Sequence, residues 1–256
     1  MSATMTTIDT TTETAVAVVN MTGQDFVSAV TWAATAASTD KTLPVLNSVN
    51  VSFGDTPDHY DSDHSVKVAP YGVTFTATDR YRLLWGTAAI DPQSSAPEPF
   101  SVNVDAKALV AVAKSVPKPA RGMPATSVTV TVTVDMAHEY EPVHFDVLVG
   151  GQLTASRTIT QPIGEFPRFR NLIPTFDRDS RSPAGAAVSA HYLATIATAA
   201  GKANGSKTTA VSMWAHGSAD EYARKPVAIA VCDQGSDAGN PQVALSGLLM
   251  PIRLAK

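Results

Sequence analysis

Lys107 and Lys114 stand seven residues apart, and Lys118 follows four residues later. A helix turning about 100° per residue brings all three to within about 20° of one direction. Leu109, Val112 and Val116 point the other way, toward a core. Such a stripe offers flexible point charges to phosphate oxygens without reading a base sequence. Periodicity alone fits an ordinary solvated face at least as well. A second concentration of chemistry-bearing groups is Asp58-His59-Tyr60-Asp61-Ser62-Asp63-His64. Carboxylates and imidazoles this close could hold a metal. Their spacing matches no binding loop and no glycine shapes a turn, so a solvated hairpin tip is expected instead. His138, Glu139, Glu141 and His144 are read the same way. No metal or cofactor is expected.

Signatures of catalysis are missing. The chain has no Gly-x-Ser-x-Gly elbow, no phosphate loop and no His-Glu-x-x-His. Cys232 follows the apolar run 227–231 and reads as packing, not as a nucleophile. It is the single cysteine, so neither an internal disulfide nor a cysteine metal cluster can form. That fits a reducing, cytoplasmic setting. The expectation is a protein that is not an enzyme.

The elements that must position these residues follow from composition and pattern. The 256 residues are 44% hydrophobic and only 16% charged, with abundant Thr, Ala and Val. This favours a strand-rich fold with a sizeable core. The net charge of −4 excludes a protein wrapped in a basic surface. An acidic body with one basic face stays possible and would repel DNA elsewhere. No run of about 18 apolar residues predicts a membrane span. Residues 1–14 are Thr-rich and lack the features of a signal peptide, so a disordered tail is expected.

From residue 15 the pattern repeats. A strand over 15–19 leads into Thr22, a cap with Asp25 three residues on, and a helix to Ser38. Strands are predicted at 45–53, 72–79 and 82–90. After a proline-rich linker at 91–99, a strand over 100–104 meets the cap Asp105 and a helix over 106–116. Strands follow at 127–134, 143–149 and 152–160. A charged linker spans 175–185. A third round is predicted from a strand over 186–188, the cap Ser189 and a helix over 190–200 closed by Gly201. Its strands are 207–215, 226–232 and 243–250. The reading is an α+β chain with three strand-helix-three-strand units, at 15–95, 98–174 and 183–256.

Three short stretches add a more specific signal. Ala77-Thr78-Asp79-Arg80-Tyr81-Arg82-Leu83 continues the alternation of Val73 to Thr76. Strand periodicity then puts Arg80 and Arg82 on one face, and Tyr81 and Leu83 on the other. The others are Phe166-Pro167-Arg168-Phe169-Arg170-Asn171-Leu172-Ile173-Pro174 and Leu248-Leu249-Met250-Pro251-Ile252-Arg253-Leu254. In this order they resemble the motifs of the β sliding clamp of bacterial DNA polymerase III. One departure stands out: the family often has Gly-His where this chain has Arg80-Tyr81.

The resemblance implies a DNA-clamp fold, with outer antiparallel sheets and inner short helices. It implies a ring on duplex DNA, held without regard to sequence, with Lys107, Lys114 and Lys118 facing the DNA. It implies a pocket for short peptides of a replicative polymerase and a clamp loader. By motif, that pocket comprises Thr78, Tyr81, Arg82, Leu83, Pro174, Leu248, Met250 and Pro251. A bacterial clamp has six units per chain and this chain has three, so a homo-oligomeric ring would need a different number of chains. The size suggests a compact replicon such as a phage. Two rivals stay open. One is a clamp-like module that forms no ring and regulates a replisome by competing for clamp-binding peptides. The other is an all-β structural component of a virion.

Overall fold

The computed structural model describes residues 16–54, 59–60, 66–67, 71–92, 94, 99–118, 124, 127–136, 140–173, 188–205, 209–215, 226–232 and 243–251. β1 (Val16–Thr22) runs directly into α1 (Gly23–Ala34). Thr22 caps that helix, its Oγ1 accepting the Asp25 amide at 3.1 Å. Burial pushes the Asp25 carboxyl above its usual range, partly offset by the Thr22 hydrogen bond. α1 stops at Ala34, one turn before the expected Ser38, because the Ala36 and Ala37 amides bond three residues back. The strand expected from Val45 starts later, after a 3-10 turn over Pro44–Asn47.

Next come β2 (Ser48–Phe53), β3 (His59–Tyr60), β4 (Val66–Lys67), β5 (Gly72–Thr78) and β6 (Arg82–Ala89). The second round is β7 (Phe100–Asp105), α2 (Ala106–Ser115), β8 (Val128–Asp135), β9 (Val143–Val149) and β10 (Gln152–Ile159). Asp105 caps α2, accepting the Ala108 amide at 2.8 Å. β8 shows why its stretch is a strand: every valine is buried and every alternate residue is not.

The third round is α3 (Ala190–Ala203), β11 (Ala210–Trp214), β12 (Val227–Cys232) and β13 (Val243–Leu249). Of the strand expected at 186–188, only Val188 is described, and it lies in no strand. Ser189 is the N-cap residue of α3, without a side-chain bond. The helix passes through Gly201, since one glycine costs a helix only about 1 kcal/mol. It ends at Asn204, followed by Gly205 at φ 65°.

The strands form a four-stranded sheet, β1-β8-β9-β10, and a seven-stranded sheet, β11-β12-β13-β6-β5-β2-β7. First strands are therefore exchanged. β1 pairs with β8 of the second round, and β7 pairs with β2 of the first. β13 pairs antiparallel with β6, so the third round extends the sheet of the first.

The helices cover the core side of both sheets. Phe26 on α1 meets Phe75 of the larger sheet edge-on at 5.6 Å and Phe145 of the smaller at 6.1 Å. Trp32 is fully buried and donates its Nε1–H to the Ser246 carbonyl at 2.9 Å, tying α1 to β13. α1 also crosses β6 closely at Gly86, where a Cβ would lie 2.8 Å from Leu245 Cδ2 and 3.0 Å from Ala29 Cα. The Gly86→Ala protein is expected to lose about 1–3 kcal/mol of stability, read by urea denaturation. No described helix is long and apolar enough to cross a membrane.

Candidate functional site

The stretch 77–83 is not one strand. β5 ends at Thr78, β6 begins at Arg82, and Asp79-Arg80-Tyr81 turns the chain between them. Asp79 builds the turn: its Oδ1 accepts the amides of Tyr81 at 3.1 Å and Arg82 at 3.0 Å. Its Oδ2 receives the Arg82 Nε–H at 2.9 Å. Thr78 Oγ1 donates to the Arg82 carbonyl at 2.8 Å and accepts the Arg80 amide at 3.2 Å. Arg80 takes φ 78°, a left-handed conformation that resets the alternation.

The two arginines expected on one face therefore part. Arg80 lies along a cleft with Thr78 and Leu83. Arg82 turns to α3, donating from Nη1 to Thr195 Oγ1 at 2.8 Å, with its guanidinium 4.9 Å from the centre of the Tyr192 ring. Tyr81 stacks on Tyr192 with centroids 6.1 Å apart. Desolvation, and then the Asp79 carboxylate, hold the Tyr192 phenol above its ordinary pKa. The Met250 amide donates to the Tyr81 carbonyl at 2.8 Å, so the end of β13 is bonded to this turn.

Leu83 and Leu248 are direct register partners across β6 and β13. With Trp85, Trp214, Ala228 and Ala230 they form an apolar patch on the sheet face away from α1. Phe166 and Phe169 lie against that patch, meeting edge-on at 6.0 Å. Between this cover, the turn and Pro44–Asn47 runs a cleft of about 480 Å³, with Val45, Leu46, Leu83, Phe169 and Leu172 among its walls. Small ligand sites commonly combine such apolar walls with a few rim polar groups.

On the helical side, α1 packs against both α2 and α3. The three helices enclose a trough of about 1330 Å³, into which Lys114, Lys118 and Lys202 reach. Lys41, Lys107 and Lys114 border a neighbouring hollow of about 420 Å³. Lys107, Lys114 and Lys118 are all exposed, whereas Leu109 and Val112 are buried and Val116 is partly so.

No family model and no curated protein matches this chain. Solved structures do. The DNA polymerase sliding clamp from Bacillus subtilis superimposes with a TM-score of 0.56 at 14% identity, covering 93% of this chain and 64% of its own. A sliding clamp from Pseudomonas aeruginosa, the DNA polymerase III subunit beta bound to griselimycin, gives a TM-score of 0.56 at 12% identity. The coverage there is 93% of this chain and 65% of that one. The chain has the sliding-clamp fold.

It spans about two thirds of the length of those clamps. Within this clamp fold the expected pocket residues meet different fates. Thr78 and Leu83 line the cleft, and Leu248 lies beside Leu83. Tyr81, Arg82 and Met250 gather at the Tyr192 end, with Met250 41% exposed. Pro251 follows, partly buried. Pro174 lies outside the described residues, as do His138, Glu139 and most of 58–64. His144 Nδ1 bonds Thr158 Oγ1 at 2.8 Å, and no group of three metal-ligating residues occurs among the described residues. The sequence reading missed Tyr192 and Thr195. Its available signal was Tyr192 as the one aromatic of an Ala- and Thr-rich helix.

Proposed function

We propose that this chain is a sliding-clamp-like processivity factor. It surrounds duplex DNA as a ring of several copies, holds a polymerase or clamp loader by a short peptide, and catalyses nothing. The observation that carries this reading is the division of labour between faces. Lysines from α2 and α3 reach into one trough between the helices, and an apolar cleft lies on the opposite face of the larger sheet. Lysines there supply sequence-independent affinity that still permits sliding. The units 15–95, 98–174 and 183–256 belong to this proposal, and twelve units around a ring would call for four chains.

One observation favours the rival, a clamp-like module that forms no ring and competes for clamp-binding peptides. β10 ends the smaller sheet as an exposed edge, bulged between Leu153 and Ala155. Its Arg157 sits in register with buried Phe145, so a charge lies on the core side of that edge. Bulges and inward charges are devices that discourage edge pairing. Light scattering at about 50 μM, where interfaces of ordinary affinity are populated, separates the two. A multimer of three or four chains is expected for the ring. A strict monomer overturns it in favour of the competitor.

A further inference from the structure

Along α3, His191, Thr198 and Lys202 line the trough shared with α1. Ala190, Leu193 and Ala197 fall within about 60° of one another on the flank turned away from that trough. Ala190 and Ala197 are exposed, Leu193 is 38% exposed, and no charged residue shares their flank. The sheet beneath shows the same imbalance. β11 is the counterpart of β2 and β8, the strand that follows the helix of each round. Val49 and Val51 of β2, and Val130 and Val132 of β8, are no more than 1% exposed. Val211 and Met213 point from β11 into the same core but are only partly buried. β2 is flanked by β7 and β8 by β1, each a strand of the other round. Among the described residues, β11 is the last strand of its sheet. Unlike β10, it carries no bulge, charge or proline, the devices that blunt an edge.

We propose that this flank of α3 and the adjoining end of β11 receive the same surface of a second copy of this chain, across a two-fold axis. The inference rests on the reading that copies of the chain assemble, and it names the surface and the symmetry. The first two rounds argue for this occupant. There, each unit is completed by another of the same make: α1 packs on α2, and the first strands are exchanged between the two sheets. The third round has a helix and three strands of that make and, among the described residues, no partner unit. The third round of a second copy supplies one, and a patch that meets itself is the isologous arrangement of two-fold dimers. Ala190 and Ala197 are small enough to let two helices approach closely, and Leu193 adds an apolar anchor. The lack of charge also suits an identical partner, because a charged patch would meet its own sign across the axis.

The test measures mass by light scattering at about 50 μM for the full chain, for Ala197→Glu, for Ala197→Lys, and for an equal mixture of the two variants. Ala197 is exposed, so neither substitution disturbs the core, which far-UV circular dichroism checks. Each variant alone is expected to lose about half or more of the multimer mass, since both copies bring the same charge into one patch. Mixing is expected to restore the mass, because Glu and Lys then face each other across the axis. Unchanged masses in both variants overturn the inference, while the ring reading stands on another contact. A loss that mixing does not restore overturns it too, because α3 then meets a different surface. A two-chain mass for the unmodified protein, lost in each variant and restored on mixing, upholds the inference and overturns the ring. A strict monomer for the unmodified protein overturns both.

Discussion

Loss of peptide binding is the expected result of replacing Leu83 by lysine. A short extended peptide with one or two leucine or phenylalanine anchors should bind the unmodified protein in the micromolar range, about −8 kcal/mol. Anchors seated in a preformed pocket carry most of such energy. Leu83 is 5% exposed, forms part of the cleft and packs against Leu248, Phe166 and Phe169. An ammonium there would be desolvated with no partner. Burial makes Leu83→Lys a risk to folding as well, so Leu172→Glu is the companion variant. Leu172 lines the same cleft and is 58% exposed, so its replacement leaves the core intact. A peptide that binds both variants as tightly as the unmodified protein sinks the cleft reading and leaves only the fold.

The second large effect concerns DNA. Joint replacement of Lys107, Lys114 and Lys118 by alanine should weaken retention on duplex DNA to the same degree for every sequence. It should also flatten the salt dependence, since each phosphate contact adds about 0.9 to the slope. Loss of all three contacts lowers it by about 2 to 3. Thermal stability should stay within about 0.5 kcal/mol, because all three side chains are exposed. Wild-type retention and slope in the triple variant would reduce the stripe to a solvated helix face.

Much of the fold was legible because its signals are local. The Val-Thr alternation of β8 and the caps Thr22 and Asp105 each announce themselves within a few residues. The break between the strands at 80–81 was also read, but the parting of Arg80 from Arg82 was not, because a left-handed arginine has no sequence signature. Gly201 misled in the opposite way. Helix packing outweighed its intrinsic cost, and Ala203, two residues later, is still buried. At the site, the resemblance gave Leu83 and Leu248 as members of one pocket, and the structure makes them register partners across β6 and β13. The turn of Arg82 toward Tyr192 was not legible, because it depends on where α3 packs. Periodicity reveals that a segment is a strand and says nothing about which strand it joins. The exchange of β1 and β7 was therefore out of reach.

That exchange governs how the chain can come to be folded. When residues 16–89 leave the ribosome, β1 has no sheet to enter until β8 follows, and β2 lacks the neighbour that β7 will provide. β6 keeps an open side until β13 arrives, and the bond from Trp32 to the Ser246 carbonyl spans 214 positions. Long-range pairings of this kind must meet their loop-closure entropy before any contact rewards them, which slows folding. Nascent chains should expose the open edge of β6 until β13 has emerged.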